Sequence, residues 1–456
     1  MIEAPSAGVV SGGIVPLEQR RWWPWVVGAS AAWIALLHVT LWWIDRQPVP
    51  RTLWGDEATY LTSAMRLLAG DPSWWPEPLW PPLYPQFLAG LVWLGGESMV
   101  LVVLVQGLLL AVTAVLLFDL VSRLTQSRAA GFVAAVVTLG YPPLAAFSHY
   151  LWPEIVHLFL FVVLLWILVA RVERAWWCAV AGIALGLALL SKSLLLPIVP
   201  VFLVAAVWGR PWRHAVVAVV LVPALAAATV APTVIANMRR LGTPSIANSA
   251  TFNLWVGLND VGRESFRNDV VWPEFQRWVA SADTHAARDR ILRSQIRDFV
   301  RERGFASVLV DQLSKQPFRL FNAGCYFTDQ LPGGAAQTQA GAGYLGLGPR
   351  AGGVLTAVVV CSILGIYVAA VMGLAIGGCR GARWVRVLLL FITYNLVLLL
   401  FLHVKTRYRI QMLPAAFVGA GCLAAWIEAG WRPRPTVTRL VAAVAVTSLL
   451  LWFALG

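Results

Sequence analysis

Charge is what this chain has least of. Only 12% of its 456 residues are Asp, Glu, Lys or Arg, against 59% hydrophobic residues, and the mean hydropathy is +0.72. A soluble domain carries about twice that charged fraction. A soluble fold is therefore excluded, and the chain reads as a polytopic membrane protein. Cysteine is scarce too: Cys178, Cys325, Cys361, Cys379 and Cys422 are odd in number and show no C-x-x-C spacing. That argues against a disulfide framework or a cysteine metal site. Internal repeats, heptad arrays and low-complexity tracts are missing, which sets aside solenoids and coiled coils. Acids are outnumbered by bases, 22 to 35, for a net charge of +13. In a soluble protein that balance suggests nucleic acid. Here it reflects Arg-rich cytoplasmic loops, and no nucleic-acid partner is expected.

What the chain has is apolar runs of near-spanning length, each needing about 20 residues. They fall at 22–44, 98–121, 129–147, 153–170, 176–190, 194–208, 215–235, 352–376, 384–403, 410–427 and 440–453. The first follows Arg20 and Arg21, has no convincing cleavage site, and is expected to stay as an uncleaved span. Every second connector is short and basic: Arg123 and Arg128, Arg171 and Arg174, Arg210 and Arg213, Arg380 to Arg386, Arg432 to Arg439. That asymmetry places the N-terminus in the cytoplasm and the C-terminus outside, in a cell (inner) membrane. It holds only if the short, proline-punctuated piece 83–94 does not cross and instead skims the outer face. The expected fold is an all-α polytopic membrane protein of about 11 transmembrane helices, one domain over 1–456. A first outer loop spans 45–97 with juxtamembrane helices, and a large, partly helical outer loop spans 237–350. In the latter, Ile291, Ile296, Phe299 and Val300 recur at helical spacing. Residues 333–348, "GGAAQTQAGAGYLGLG", read as a loop. Gly182 and Gly186, with Ala181, suggest close helix packing.

The informative polar residues share one side of this topology. Asp56 and Glu57, in "WGDEATYLTSAMRLLAG", lie in the first outer loop. Glu154, in "LWPEIVHLF", opens the fourth span at its outer end. Lys192, in "LLSKSLLLP", sits at the outer junction of the fifth and sixth. Arg239 and Arg240 open the large outer loop, and Lys405, Arg407, Tyr408 and Arg409 follow the ninth span in "HVKTRYRIQMLP". Ionisable groups near membrane depth are costly and mark function by default. Each also has a plainer reading. Asp56 is a favoured N-cap for a helix over Glu57–Leu68 that stops at Gly70, and Glu57 complements its dipole. Glu154 sits at a helix start behind Pro153, Lys192 is long enough to snorkel, and the "KTRYR" cluster suits anionic head groups of membrane lipids. Adjacent on a helix, Asp56 and Glu57 point about 100° apart, so a carboxylate pair has to form across the fold, with Glu154. Glu154 and His157, three residues apart, are also a candidate divalent-metal pair. No other cofactor is indicated.

Together these motifs resemble the GT-C membrane glycosyltransferases, in the branch shared by protein O-mannosyltransferases and the transferases that add aminoarabinose to lipid A. "WGDEATYLTSAMRLLAGD" resembles the Asp-Glu signature of their first outer loop, and "EPLWPPLYPQFLAGL" the Pro-Pro-x-Tyr-Pro segment after it. "LWPEIVHLFLFV", "AGIALGLALLSKSLLLP", "GTPSIANSATFNLWVGLND" and "KTRYRIQMLP" are similar to later stations, in the same order. Trp80 stands where many relatives have Lys before the Pro-Pro pair, and Thr406 where many have Glu. The resemblance implies transfer of a sugar from a polyprenyl-phosphate donor to a lipid, polysaccharide or protein acceptor, on the outer face. It carries the base role to Asp56 and a second acidic role to Glu154. Donor-phosphate binding falls to Lys192, Arg407, Arg409 and Tyr408, and substrate or loop support to Glu57, Tyr60, Tyr84 and Arg239. Two rivals stand beside it: a transporter or flippase of lipid-linked sugars, which needs helices broken at mid-membrane or repeat symmetry, and a non-catalytic relative that presents its outer loop.

Overall fold

In the computed structural model, residues 23–44, 53, 55–75, 80–96, 99–259, 268–331, 347–376, 382–432 and 434–456 are described. These residues are α-helical, with short 3-10 segments and no strand among them. Helices α1 (Trp23–Ile44), α4 (Met99–Thr125), α7 (Glu154–Ala170), α8 (Ala175–Ser191) and α10 (Trp212–Leu241) belong to the first half of the bundle. α15 (Pro349–Ile376), α16 (Ala382–Phe401), α17 (Leu413–Glu428) and α18 (Val437–Leu455) belong to the second. Among the described residues, six segments are long and apolar enough to cross a membrane: Met99–Thr125, Trp212–Leu241, Pro349–Ile376, Arg383–Phe401, Thr406–Glu428 and Val437–Leu455. Apart from α1, the other apolar runs form shorter helices, including α3 (Leu83–Gly95).

Where the helices break, local chemistry explains it. The run 129–147 is not one helix but α5 (Arg128–Gly140) and α6 (Pro142–Phe147), parted at Tyr141 in an extended conformation. Pro142 and Pro143 force that break, because a residue before proline is driven out of the helical region. The run 194–208 is likewise a 3-10 helix, Ser193–Ile198, followed by α9 (Val199–Val207). It follows Lys192, whose extended backbone ends α8. The run 410–427 begins earlier, as a 3-10 helix over Thr406–Met412 that leads into α17.

One continuous apolar core joins α1, α4, α5, α7, α8, α15 and α17. Small residues bring helices close within it, and α8 packs along α10. A Cβ on Gly182 would lie 2.7 Å from the Val222 carbonyl oxygen, and one on Gly186 would lie 2.5 Å from Thr229 Cβ. Neither position has room for a side chain, as the small-residue spacing predicts. Cys422, in α17, is disulfide-bonded, an exception to the reading of the cysteines.

The segment 237–350 carries α11 (Ala250–Asn259), α12 (Asn268–Ala280), α13 (His285–Arg303) and α14 (Phe305–Phe321). Phe252, Val256, Trp278 and Leu292 form a small separate core there. The amphipathic stretch is two helices, parted at Gly304 with φ +75°. Leu292 and Ile296 face that core, while Ile291 is exposed. α14 then packs on α16, α18 and the 3-10 helix Thr406–Met412. The glycine-rich stretch 333–348 lies mostly outside the described residues.

Candidate active site

The site is assembled at one end of the bundle from four separate stretches. The first is the Gly55–Asp56–Glu57 turn before α2 (Glu57–Leu68). Gly55 has φ +59°, a region where only glycine is unstrained. Asp56 holds the N-cap position, and its carbonyl accepts from Tyr60 N–H at 3.0 Å. Its carboxylate makes no cap hydrogen bond. It accepts instead from Arg407 Nη2, because a charge-assisted bond to a guanidinium outcompetes a neutral N–H. The side-chain cap expected from sequence is thus replaced by an ion pair across 351 residues.

Glu57 is fully buried and turns the other way. Its Oε1 accepts from the Leu151 N–H at 2.8 Å, tying the turn to the loop that delivers Glu154. Gln106 holds the same loop, donating from Nε2 to the carbonyls of Ser148 and Tyr150, both at 3.0 Å. Tyr84 Oη donates to Gln106 Oε1 at 3.0 Å, so Tyr84 acts through that frame. Tyr60 is buried edge-to-face against Tyr84, at 5.2 Å between ring centroids.

Glu154 opens α7 with its side chain 1% exposed, against 19% for Asp56. Lys192 Nζ donates to Glu154 Oε1 at 2.9 Å, and Arg407 Nε stands 3.9 Å from the same oxygen. Arg407 therefore bridges the two carboxylates, and Lys192 closes the far side. The Arg407 guanidinium lies 4.5 Å over the Trp152 ring and 5.8 Å from Tyr408. Lys192 Nζ is 6.0 Å from the Tyr408 ring. Buried polar atoms with no hydrogen-bond partner gather here: Glu154 Oε2, Arg407 Nε, Trp152 Nε1 and Ser191 Oγ. Native interiors rarely leave such atoms unmet without a ligand or water to meet them.

Charge decides the behaviour of these groups. Burial pushes the Asp56 carboxyl up, but Arg407 and then Lys405 outweigh it and hold it below the ordinary carboxylate value. Burial draws the Lys192 ammonium down, against the pull of Glu154. It also draws Lys405 down, to about 8, despite the favourable field of Asp56. Lys405 therefore belongs to the site's field, beside the residues that its motif assigns to the phosphate.

Other assignments do not converge here. Arg409 is buried, but its Nη1 donates to the Asn322 carbonyl at 2.5 Å and to Tyr367 Oη at 3.0 Å. It faces away from Asp56 and is committed to holding α15 and the residue after α14. Arg239 is exposed on the last turn of α10, which runs further than the sequence suggests, and it makes no contact with the cluster among the described residues. Its neighbour Arg240 donates to the Trp75 carbonyl at 2.9 Å. The Glu154–His157 metal pair does not fit a cation. No group of three or more His, Cys, Asp or Glu side chains converges among the described residues, and Lys192 and Arg407 already place two positive charges against Glu154. Trp152 and Gln106 were missed by the sequence reading. Trp152 sits in "LWPEIVHLF", two residues before Glu154, where no local signal sets it apart from the chain's other tryptophans.

Comparison with known proteins agrees with the motifs. The class first: residues 80–235 match the family described as dolichyl-phosphate-mannose-protein mannosyltransferase. That stretch is about a third of the chain; it contains Tyr84, Glu154 and Lys192 and excludes Asp56 and Arg407. The match supports a multi-pass membrane glycosyltransferase of the GT-C superfamily and bears out the resemblance drawn from the motifs. Among solved structures, the chain is similar to ArnT from Cupriavidus metallidurans bound to undecaprenyl phosphate. Identity is 16%, coverage is 88% of this chain and 78% of that one, and the TM-score is 0.37. A likeness that distant carries no argument about ligand or mechanism. No curated protein sequence gives a significant match.

Proposed function

We propose that the protein moves a sugar from a polyprenyl-phosphate donor to an acceptor hydroxyl, on the outer face of a cell membrane. The observation that carries this reading is Arg407 held between Asp56 and Glu154, with Lys192 on Glu154. Two carboxylates and two cations at one end of an apolar bundle suit a reaction that takes up a proton and releases a phosphate. A transporter would place such groups at the midplane.

Paired with Asp56, Arg407 neutralises it and makes it a weak base. The incoming phosphate competes for the same guanidinium, and Lys192 adds a second point charge. Once Arg407 turns to the phosphate, the Asp56 carboxylate is free to accept the acceptor's proton, so base and donor are unmasked together. Asp56 is the better exposed of the two acids and takes the base role; Glu154 orients the acceptor hydroxyl. The acceptor oxygen forms a bond to the anomeric carbon as the bond from that carbon to the phosphate oxygen breaks. Configuration inverts in one displacement, the proton goes to Asp56, and polyprenyl phosphate leaves on Arg407 and Lys192. The leaving phosphate needs no general acid. Tyr408 walls the phosphate, while Glu57, Tyr60 and Tyr84 hold the frame.

The acceptor is a hydroxyl on a lipid, polysaccharide or protein. The N-terminus is assigned to the cytoplasm on the charge of the short loops. The test is donor turnover by wild type and Asp56→Asn; equal turnover in both would remove Asp56 as base.

A further inference from the structure

We propose that Trp152 is a positioning residue for the transfer, seating the Arg407 guanidinium where the donor phosphate meets it. This rests on the reading of Arg407 as a phosphate ligand.

The seat is built from three sides. Trp152 is 2% exposed, and Arg407 lies 4.5 Å over its ring. The Tyr326 ring packs against the indole at 4.1 Å between centroids, with Phe147 and Tyr150 at 5.5 Å each. A Cβ on Gly55 would lie 3.5 Å from Trp152 Cζ2, so the turn that carries Asp56 passes beside the same indole. One ring therefore lies next to the turn holding the base and under the guanidinium that masks it, two residues before Glu154. The ring is fixed by neighbours that do not depend on Arg407.

A π-face is the right partner for this guanidinium. The donor phosphate must displace Asp56 from Arg407 while Glu154 stays 3.9 Å from Nε, and a third carboxylate on the guanidinium would compete further with the phosphate. A neutral indole attracts the cation, Trp being the strongest of the aromatic faces, and leaves the planar edge with its N–H donors free to exchange carboxylate for phosphate. The stack persists through the exchange. Arg407 then changes partner without losing its place.

The test uses the full chain in nanodiscs, with Arg407 labelling by phenylglyoxal read at peptide resolution and affinity for undecaprenyl phosphate as the second readout. In Trp152→Leu, labelling of Arg407 rises several-fold and affinity falls about tenfold, while Trp152→Phe stays within about threefold of wild type. Unchanged labelling in Trp152→Leu overturns the seat whatever the donor is. Raised labelling with unchanged affinity overturns its part in the transfer. Arg407→Gln separates the two readings: affinity equal to wild type there removes Arg407 as phosphate ligand, and the proposal built on it goes too. Where Trp152→Leu does not fold, Trp152→Phe carries the test. A smaller rise in labelling and a loss of about twofold to threefold are then expected, and wild-type values for both overturn it.

Discussion

Two carboxylates in this protein are each surrounded by cations, at opposite ends of the bundle, and they are built differently. Asp119, in α4, accepts from Arg123 Nε at 2.6 Å, one helical turn along, and from Trp166 Nε1 at 2.8 Å; Arg128 stands 3.8 Å away. Its partners come from its own helix and immediate neighbours. Asp56 is matched by Arg407 from the far end of the chain, and Arg407 leans on Glu154, which pairs with Lys192. Both short bonds to Asp119 converge on its Oδ2, one of them from its own helix. Around Glu154, buried polar atoms remain without partners. A closed local ion pair is what stability alone requires. A cluster drawn from four separate stretches of the chain is better suited to receiving a ligand.

That difference sets the order of expected effects. Asp56→Asn should lower turnover by about a thousandfold, in the range of a lost general base. Its thermal midpoint should stay near wild type; a parallel loss of both would make Asp56 structural. Next, Arg407→Gln removes a charge-assisted ligand and should weaken undecaprenyl phosphate binding by about 10- to 100-fold. Unchanged affinity in a binding titration would contradict that role. A pH series sharpens the comparison further. Lys405 carries its charge below about 8 and loses it as pH rises, so affinity for the anionic lipid should fall across that range. Lys405→Met should flatten that step, and a persisting step would assign it to another group. The smallest effect belongs to the other end. Asp119→Asn should leave turnover unchanged and lower the thermal midpoint by about 2–4 °C. A large loss of turnover there would erase the distinction between the clusters.

Much of the site was legible because its residues sit beside strong local signals. Gly-Asp-Glu before an amphipathic helix, Pro-Glu opening an apolar run, and Ser-Lys-Ser between two short runs each mark a polar residue at a span end. Loop charge then placed them on one side. What sequence could not give was direction. Arg407 and Arg409 look equivalent in "KTRYR", yet residues two apart on a 3-10 helix, with three residues per turn, project about 120° from each other. One meets Asp56, and the other meets Tyr367 and the Asn322 carbonyl. Asp56 kept the cap position but not the cap bond, because a guanidinium distant in sequence was the stronger partner. Arg239 was lost to the site because α10 continues to Leu241. Trp152 was passed over because, among 24 tryptophans, only tertiary contact distinguishes a platform from lipid-facing bulk.

The central claim is that this cluster turns over a polyprenyl-phosphate sugar with Asp56 as base. The most direct measurement incubates the purified chain in nanodiscs with a panel of polyprenyl-phosphate sugars and a membrane extract, and quantifies free polyprenyl phosphate for wild type and Asp56→Asn. Release by wild type with almost none from Asp56→Asn is the predicted result. Demonstrated donor binding with no release by either protein would contradict the claim and point to a carrier of lipid-linked sugars.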